Sequence, residues 1–322
     1  MKSPTYSARA CRHARFLVLG FWCLAPGVRC FAAPHQEPFG LDVDFQLQIA
    51  LERQMFSMNV IDGAWGAKSK AALSAWLEAN CREDAPTNRA DLLELVLSRE
   101  SVRTAPYRLR RVTEDDAKSL VAIPLNPAEK MQLPSMGYET LLEMFAELGH
   151  ATQNTMRLLN PHAPWPNPPP GTVLRIPNVA TTNKPPKAAL VTVSLARRQI
   201  AVFDADGTMT ALFPCSIASD KAKRPPSGEI RVKGIAPHPN YTYTSEVPDH
   251  RGRHKKYIYP SGPNNPVGSA WVGLSIPSYG IHGTPNPESI GRAESHGCFR
   301  LANWNAVRLR DMVSEGCKVI IE

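Results

Sequence analysis

The chain has 322 residues, of which 43% are hydrophobic and 20% charged, and a formal net charge of +8. That length exceeds the usual single domain, so two or three modules are expected. Five basic residues (Lys2, Arg9, Arg12, Arg15, Arg29) lie in the first 32 positions beside no acid, and without them the charge falls to +3 with no basic cluster that would call for a nucleic acid.

Residues 1–32 combine that basic start with an apolar run from Phe16 to Trp22, continuing through Leu24 and Ala25. Small residues follow at Ala32 and Ala33. This is the pattern of a secretory signal peptide, with a run too short to span a bilayer comfortably. An uncleaved anchor is the alternative, because Arg29 and Pro34 make an imperfect cleavage site. Contact with a membrane is expected only through this segment. Three of the seven cysteines (Cys11, Cys23, Cys30) fall within it, leaving Cys81, Cys215, Cys298 and Cys317. That is no disulfide scaffold. Cys215 and Cys317 sit in apolar, strand-like stretches and read as buried thiols.

The first module is expected over 40–80. Val43, Leu47, Ala50, Leu51 and Met55 mark one helical face, Asn59–Gly63 a turn, and Gly66 opens a second helix through Ala72, Leu73, Trp76 and Leu77. The pattern Leu51 … Ile61-Asp62-Gly63-Ala64-Trp65-Gly66 … Ser69 … Ala72-Leu73 … Trp76 resembles a small helical peptidoglycan-binding module. Packing of a small core by Trp65, Leu73 and Trp76 explains the same residues. A connecting region follows over 81–136, with a helix near Ala90–Arg99 and a strand at Tyr107–Val112.

A second small α+β unit is expected over 137–178. Tyr138, Leu141, Leu142, Met144 and Phe145 give one helix, and Thr155–Leu159 another, ended by Asn160-Pro161. Pro170–Pro177 closes the unit as a strand. Helix, helix, Leu-Asn-Pro and then a strand resembles a LysM-type unit, although no first strand stands directly before Tyr138. Trp165, in a proline-rich loop, either stacks on a sugar or caps the fold. Residues 179–187, with Pro185-Pro186, read as a stiff linker.

From 188 to 322 the character changes to strands: Ala189–Leu195, Arg198–Phe203, Ala211–Ala218, Glu229–Gly234, Lys256–Tyr259, Ala270–Leu274 and Lys318–Ile321. One helix is expected near Asn303–Val313. The fold class is therefore multidomain: a helical module, an α+β unit and a C-terminal β-sandwich with one packed helix.

Within this last part, Ile281-His282-Gly283-Thr284-Pro285 and Glu294-Ser295-His296-Gly297-Cys298-Phe299-Arg300-Leu301 place a thiol, two imidazoles and a guanidinium within twenty residues. A cysteine becomes a strong nucleophile when a base or positive neighbour stabilises its thiolate. His282 and His296 are the candidate bases. Gly297 lets the backbone turn before Cys298, and the N–H groups of Gly297 and Cys298 are candidates for an oxyanion hole. Apolar–polar alternation through Phe299 and Leu301 puts Cys298 and Arg300 on one face, where the guanidinium can hold a substrate carboxylate. Ser295, by side chain or carbonyl, is the candidate for fixing the tautomer of His282. Tyr279 and Trp271 are pocket walls or core. The cluster lacks further metal-type spacing, so neither a metal nor a cofactor is expected.

Tyr279-Gly-Ile-His282-Gly-Thr with Ser295-His-Gly-Cys298-Phe-Arg300 resembles the signature of the L,D-transpeptidases with a YkuD-type catalytic domain. The resemblance implies a periplasmic or cell-envelope enzyme acting on peptidoglycan through Cys298. It would cleave the tetrapeptide stem after the third residue, release D-Ala and pass the acyl group to an amine, on another stem or on a wall-attached protein. The family pattern points to His282 as general base, with His296 as a neighbouring positioning residue. An L,D-carboxypeptidase or a hydrolase that releases wall-linked proteins would use the same residues. A wall-binding structural protein with a silent catalytic domain is the rival from another class.

Overall fold

The computed structural model describes residues 42–80, 84–100, 102–181, 185–248, 250–291, 293–295 and 297–322. The expected signal segment, Cys81 and His296 lie outside the described residues. Among the described residues no helix is long and apolar enough to cross a membrane.

The chain opens with α1 (Val43–Arg53), α2 (Ala67–Ala79) and α3 (Arg89–Leu97). Asp42 caps α1 by accepting from Phe45 N–H at 2.7 Å, and Asn88 caps α3 through Asp91 N–H at 2.9 Å. Phe45, Ile49, Trp76 and Val96 are buried between the helices. The Gln48 side chain fastens the turn after α1: its oxygen accepts from Asp62 and Gly63 N–H, and its NH2 donates to Asp62 Oδ1 at 2.9 Å.

The stretch read as a connector supplies β1 (Tyr107–Arg111), α4 (Glu114–Lys118) and α5 (Pro127–Lys130). Helices α6 (Leu141–Leu148) and α7 (Gln153–Leu159) follow, then β2 (Val173–Pro177). Strands β1 and β2 pair antiparallel from Tyr107↔Pro177 to Arg111↔Val173 and pack on both helices through Leu142, Phe145, Met156, Leu174 and Ile176. A first strand therefore exists. It stands upstream of residues 112–136, where local pattern gives no reason to look for the partner of β2.

The last part contains β3 (Leu190–Ser194), β4 (Gln199–Phe203), β5 (Met209–Pro214), β6 (Ile217–Ala218), β7 (Gly228–Pro237), β8 (Tyr241–Thr244) and β9 (Lys256–Tyr259). It continues with β10 (Ala270–Leu274), β11 (Gly280–His282), β12 (Ala293–Ser295), β13 (Phe299–Arg300), α8 (Asn303–Met312) and β14 (Lys318–Ile321). Two separate stacked sheets were the expectation. Instead there is one eight-stranded mixed sheet, ordered β13-β11-β10-β7-β14-β3-β4-β5. The long strand β7 explains the difference. Its first residues pair with β14 and its remainder with β10, so it belongs to both halves. Val193, Ile200 and Phe213 from one half and Val272, Ile281 and Phe299 from the other meet in a single core with α8. A curled sheet thus buries its own face as two sheets would.

The α1–α3 core does not close on itself. Ala201 of β4 and Leu212 of β5 complete it. Residues 55–57 run along β5, with Ser57 N–H donating to Leu212 O (2.9 Å) and Leu212 N–H to Met55 O (3.0 Å). The open edge of the sheet is thereby covered. Residues 38–322 accordingly cluster as one compact unit.

Candidate active site

Strands β10, β11 and β13 lie side by side, with Trp271 opposite His282 and His282 opposite Arg300. Residues opposite one another on neighbouring strands face the same way. Trp271, His282 and Arg300 therefore form one row across the sheet. The next row, Val272, Ile281 and Phe299, faces the core. Strand β13 begins only at Phe299, so strand alternation covers Phe299 and Arg300, while Cys298 precedes it in a bend and lines the same cleft as Arg300.

The row opens into a cleft of about 790 Å³ lined by Trp271, Tyr279, His282, Gly297, Cys298 and Arg300, with Lys223 and Tyr241 on its rim. Gly297 has φ +156°, a value that disfavours a side chain, directly before the thiol. Cys298 Sγ lies 3.5 Å from Ser278 O, and the Gly280 N–H points at the sulfur. Burial raises the thiol above its ordinary range, while Gly280 N–H and the Arg300 charge pull the other way.

His282 is buried, 5% exposed, and stacks on Trp271 with ring centroids 5.4 Å apart and an interplanar angle of 15°. Its Nδ1 lies 2.6 Å from Gly283 O. A carbonyl only accepts, so Nδ1 carries the hydrogen and Nε2 keeps its lone pair. The neighbouring Gly283 carbonyl thus performs the orienting task expected of Ser295. Burial, helped by the Arg300 charge, lowers the His282 pKa to about 4 against the Gly283 bond. At neutral pH the site rests as a thiol and a neutral imidazole. No carboxylate among the described residues pairs with Arg300.

Space for the Trp271 indole comes from Gly280, where a Cβ would lie 2.4 Å from the ring. Gly280→Ala is therefore expected to displace the indole and the His282 ring stacked on it. Acylation should slow about tenfold, at a stability cost of about 1–3 kcal/mol. Thiol acylation kinetics and thermal unfolding check this; unchanged acylation would mean that Trp271 does not hold His282.

One family's sequence profile, the L,D-transpeptidase catalytic domain YkuD, matches residues 188–321. This stretch belongs to the YkuD family of L,D-transpeptidase catalytic domains. The chain is 48% identical over 59 residues to the putative L,D-transpeptidase YkuD of Bacillus subtilis, 18% of this chain and 36% of that protein. It is 35% identical over 101 residues to the putative L,D-transpeptidase YqjB of the same organism, 30% and 51% of the two chains. A putative L,D-transpeptidase of Fuscovulum blasticum is 35% identical over 125 residues, 38% and 63% of the two. The chain thus spans less than two thirds of the length of these relatives. Among solved structures, L,D-transpeptidase 3 from Mycobacterium tuberculosis in complex with a faropenem-derived adduct aligns with 18% identity and a TM-score of 0.34, over 42% of this chain and 60% of that one. The catalytic domain of the E. faecium L,D-transpeptidase acylated by ertapenem aligns with 19% identity and a TM-score of 0.32, over 42% and 98%.

Of the residues singled out in the sequence, Cys298, His282, Gly297, Arg300, Tyr279 and Trp271 meet in the cleft of this YkuD domain. The Ser295 backbone pairs with Ala218 in the small β6–β12 sheet. His296 lies outside the described residues. Cys215 and Cys317 are free, buried thiols away from the cleft; burial pushes Cys215 up to about 12. Sequence reasoning missed Ser278, Gly280 and Gly283, whose contributions are backbone atoms and leave no side-chain signal.

Proposed function

We propose that this protein is a peptidoglycan L,D-transpeptidase working through an acyl-enzyme on Cys298. The observation that carries the reading is one cleft that holds a thiol, a histidine with Nε2 available and an arginine without a carboxylate partner among the described residues. Cys298 attacks the carbonyl carbon after the third stem residue while His282 Nε2 takes the thiol proton. Backbone N–H at the Cys298 turn receives the developing oxyanion. Collapse breaks the amide bond, and the imidazolium returns its proton to the departing D-Ala amine. An acceptor amine then attacks the thioester, loses its proton to His282 and releases Cys298. Arg300 holds a substrate carboxylate, which also screens the charge that depresses His282. Tyr279 and Trp271 wall the cleft, and His296 helps to position substrate.

Residues 1–32 are proposed to export the chain to the cell envelope. The α1–α3 module and the β1–β2 unit, read as peptidoglycan-binding and LysM-like, are proposed to hold it on the wall. The test is incubation of the purified protein with disaccharide tetrapeptide, followed by mass spectrometry. Cross-linked dimers and an acyl adduct mapping to Cys298 are expected. Hydrolysed monomer alone would make the protein an L,D-carboxypeptidase, and no turnover would make it a silent wall-binding protein.

A further inference from the structure

We infer that Glu147, on helix α6 outside the catalytic domain, is a positioning residue for His282 and acts through the side-chain amide of Asn303. The inference rests on His282 being the base of the proposed reaction. Asn303 is the first residue of α8 and is almost fully buried. Its side chain bonds to the loop over residues 263–269 and to α6. Asn303 Oδ1 accepts from Ser269 N–H at 3.1 Å, while Nδ2 donates to Pro263 O at 3.0 Å and to Glu147 Oε1 and Oε2 at 3.2 and 3.1 Å. Those partners leave the amide one orientation, since the backbone N–H needs an acceptor and the carboxylate needs a donor.

The Asn303 oxygen is packed between two glycines. A Cβ on Gly268 would lie 2.0 Å from Oδ1, and one on Gly283 would lie 2.2 Å from it. Gly283 is the residue whose carbonyl accepts from His282 Nδ1. The amide of Asn303 therefore sets where that carbonyl can stand, and the carbonyl sets the ring. Glu147 is held in turn by Tyr138, whose hydroxyl donates to Oε1 at 3.0 Å. The path runs from Tyr138 through Glu147 and Asn303 to Gly283 and His282, through contacts that span 156 positions of sequence. A wall-binding unit joined only by a linker would have no such hold on the catalytic base. Burial, with the Glu143 charge, pushes the Glu147 carboxyl up to about 7 against the bonds from Asn303 and Tyr138, so pH 8 keeps it ionised in the assay.

The full-length protein tests this with Glu147→Met, which fills the space without an acceptor, Glu147→Gln, which restores one, and Asn303→Ala. The first readout is the ¹⁵N ring signal of His282, assigned by its loss in His282→Gln. The wild type should show a single Nδ1–H tautomer with a protected proton. Glu147→Met and Asn303→Ala should mix the tautomers and speed proton exchange at least about tenfold, and Glu147→Gln should stay within about threefold of wild type. The second readout is acylation of Cys298 by ertapenem at pH 8, where the acylation step should slow about tenfold or more in the same two variants with initial binding unchanged. Asn303→Ala decides the matter if Glu147→Met does not fold. A native-like His282 signal in a folded Glu147→Met or Asn303→Ala protein overturns the inference. A wild type that takes no acyl group overturns the proposed reaction instead, and the His282 signal still decides the role of Glu147.

Discussion

Cys298→Ala is expected to form no acyl adduct, and His282→Ala to form one about 10²–10⁴-fold more slowly than wild type at neutral pH. The two variants differ because one removes the bond-forming atom and the other removes only the proton acceptor. Their pH profiles separate the roles further. Burial holds the Cys298 thiol above its ordinary range and lowers His282 to about 4. The reactive wild-type state, thiol beside neutral imidazole, is thus populated across neutrality. Wild-type acylation should be level from about pH 6 to 8 and fall as His282 protonates toward pH 4. Without His282 only the spontaneous thiolate reacts, so the residual rate should climb about tenfold per pH unit until the raised thiol pKa is passed. Single-turnover acylation from about pH 3.5 to 9 measures both profiles. A level profile in His282→Ala would show that another group takes the proton.

The grouping of these residues in one cleft was legible because they are close in sequence. Cys298 and Arg300 are two positions apart and His282 is sixteen positions before the thiol, so short spans of chain bring them together. Trp271 and Tyr279 were readable as walls, but not which of them supports the base. Only the register of β10 on β11 places Trp271 beside His282. Ser295, by side chain or carbonyl, was the expected partner of His282 Nδ1, whereas the oxygen against it is that of Gly283, which no side chain marks. The fold was legible element by element and less so in its joins. Most strands of the last part follow apolar alternation, yet the doubling of β7 into both halves of one sheet depends on pairing partners far apart in the chain. The same holds for the boundaries between modules. The sequence suggested modules at 40–80 and 137–178 and a linker at 179–187, with no sign that Leu212 and Ala201 complete the core of the first helices. Long-range burial of this kind has no local signature.

One of those joins is a buried charge. Glu52 of α1 is fully buried, and one of its oxygens meets Arg308 of α8 and His150 Nδ1, the latter at 2.9 Å. His150 stacks on Trp304 of the same helix, with centroids 4.8 Å apart. Burial works against the Glu52 charge, but Arg308, His150 and the Ser57 hydroxyl outweigh it and hold the carboxyl below its usual range. Burial and the Arg308 charge lower His150 to about 4, so it is neutral in the fold and donates from Nδ1. Both groups make the protein acid-sensitive. The stability tied to neutral His150 is complete above its unfolded pKa of about 6.5 and declines as the pH falls toward about 4; that tied to ionised Glu52 is lost as the pH falls through its lowered pKa. Glu52→Ala should cost about 3–5 kcal/mol at pH 7, because Arg308 would remain buried without its counter-charge. That is a large part of the stability of an ordinary domain. Glu52→Leu with Arg308→Met should recover most of the loss, since no unpaired charge is left behind. Urea unfolding of the three proteins measures this, and a loss below about 1 kcal/mol in Glu52→Ala would show that Arg308 finds water instead. Helix α8 begins three residues after Arg300, so Glu52→Ala should also lower the temperature at which the proposed activity of the cleft is lost, in step with unfolding.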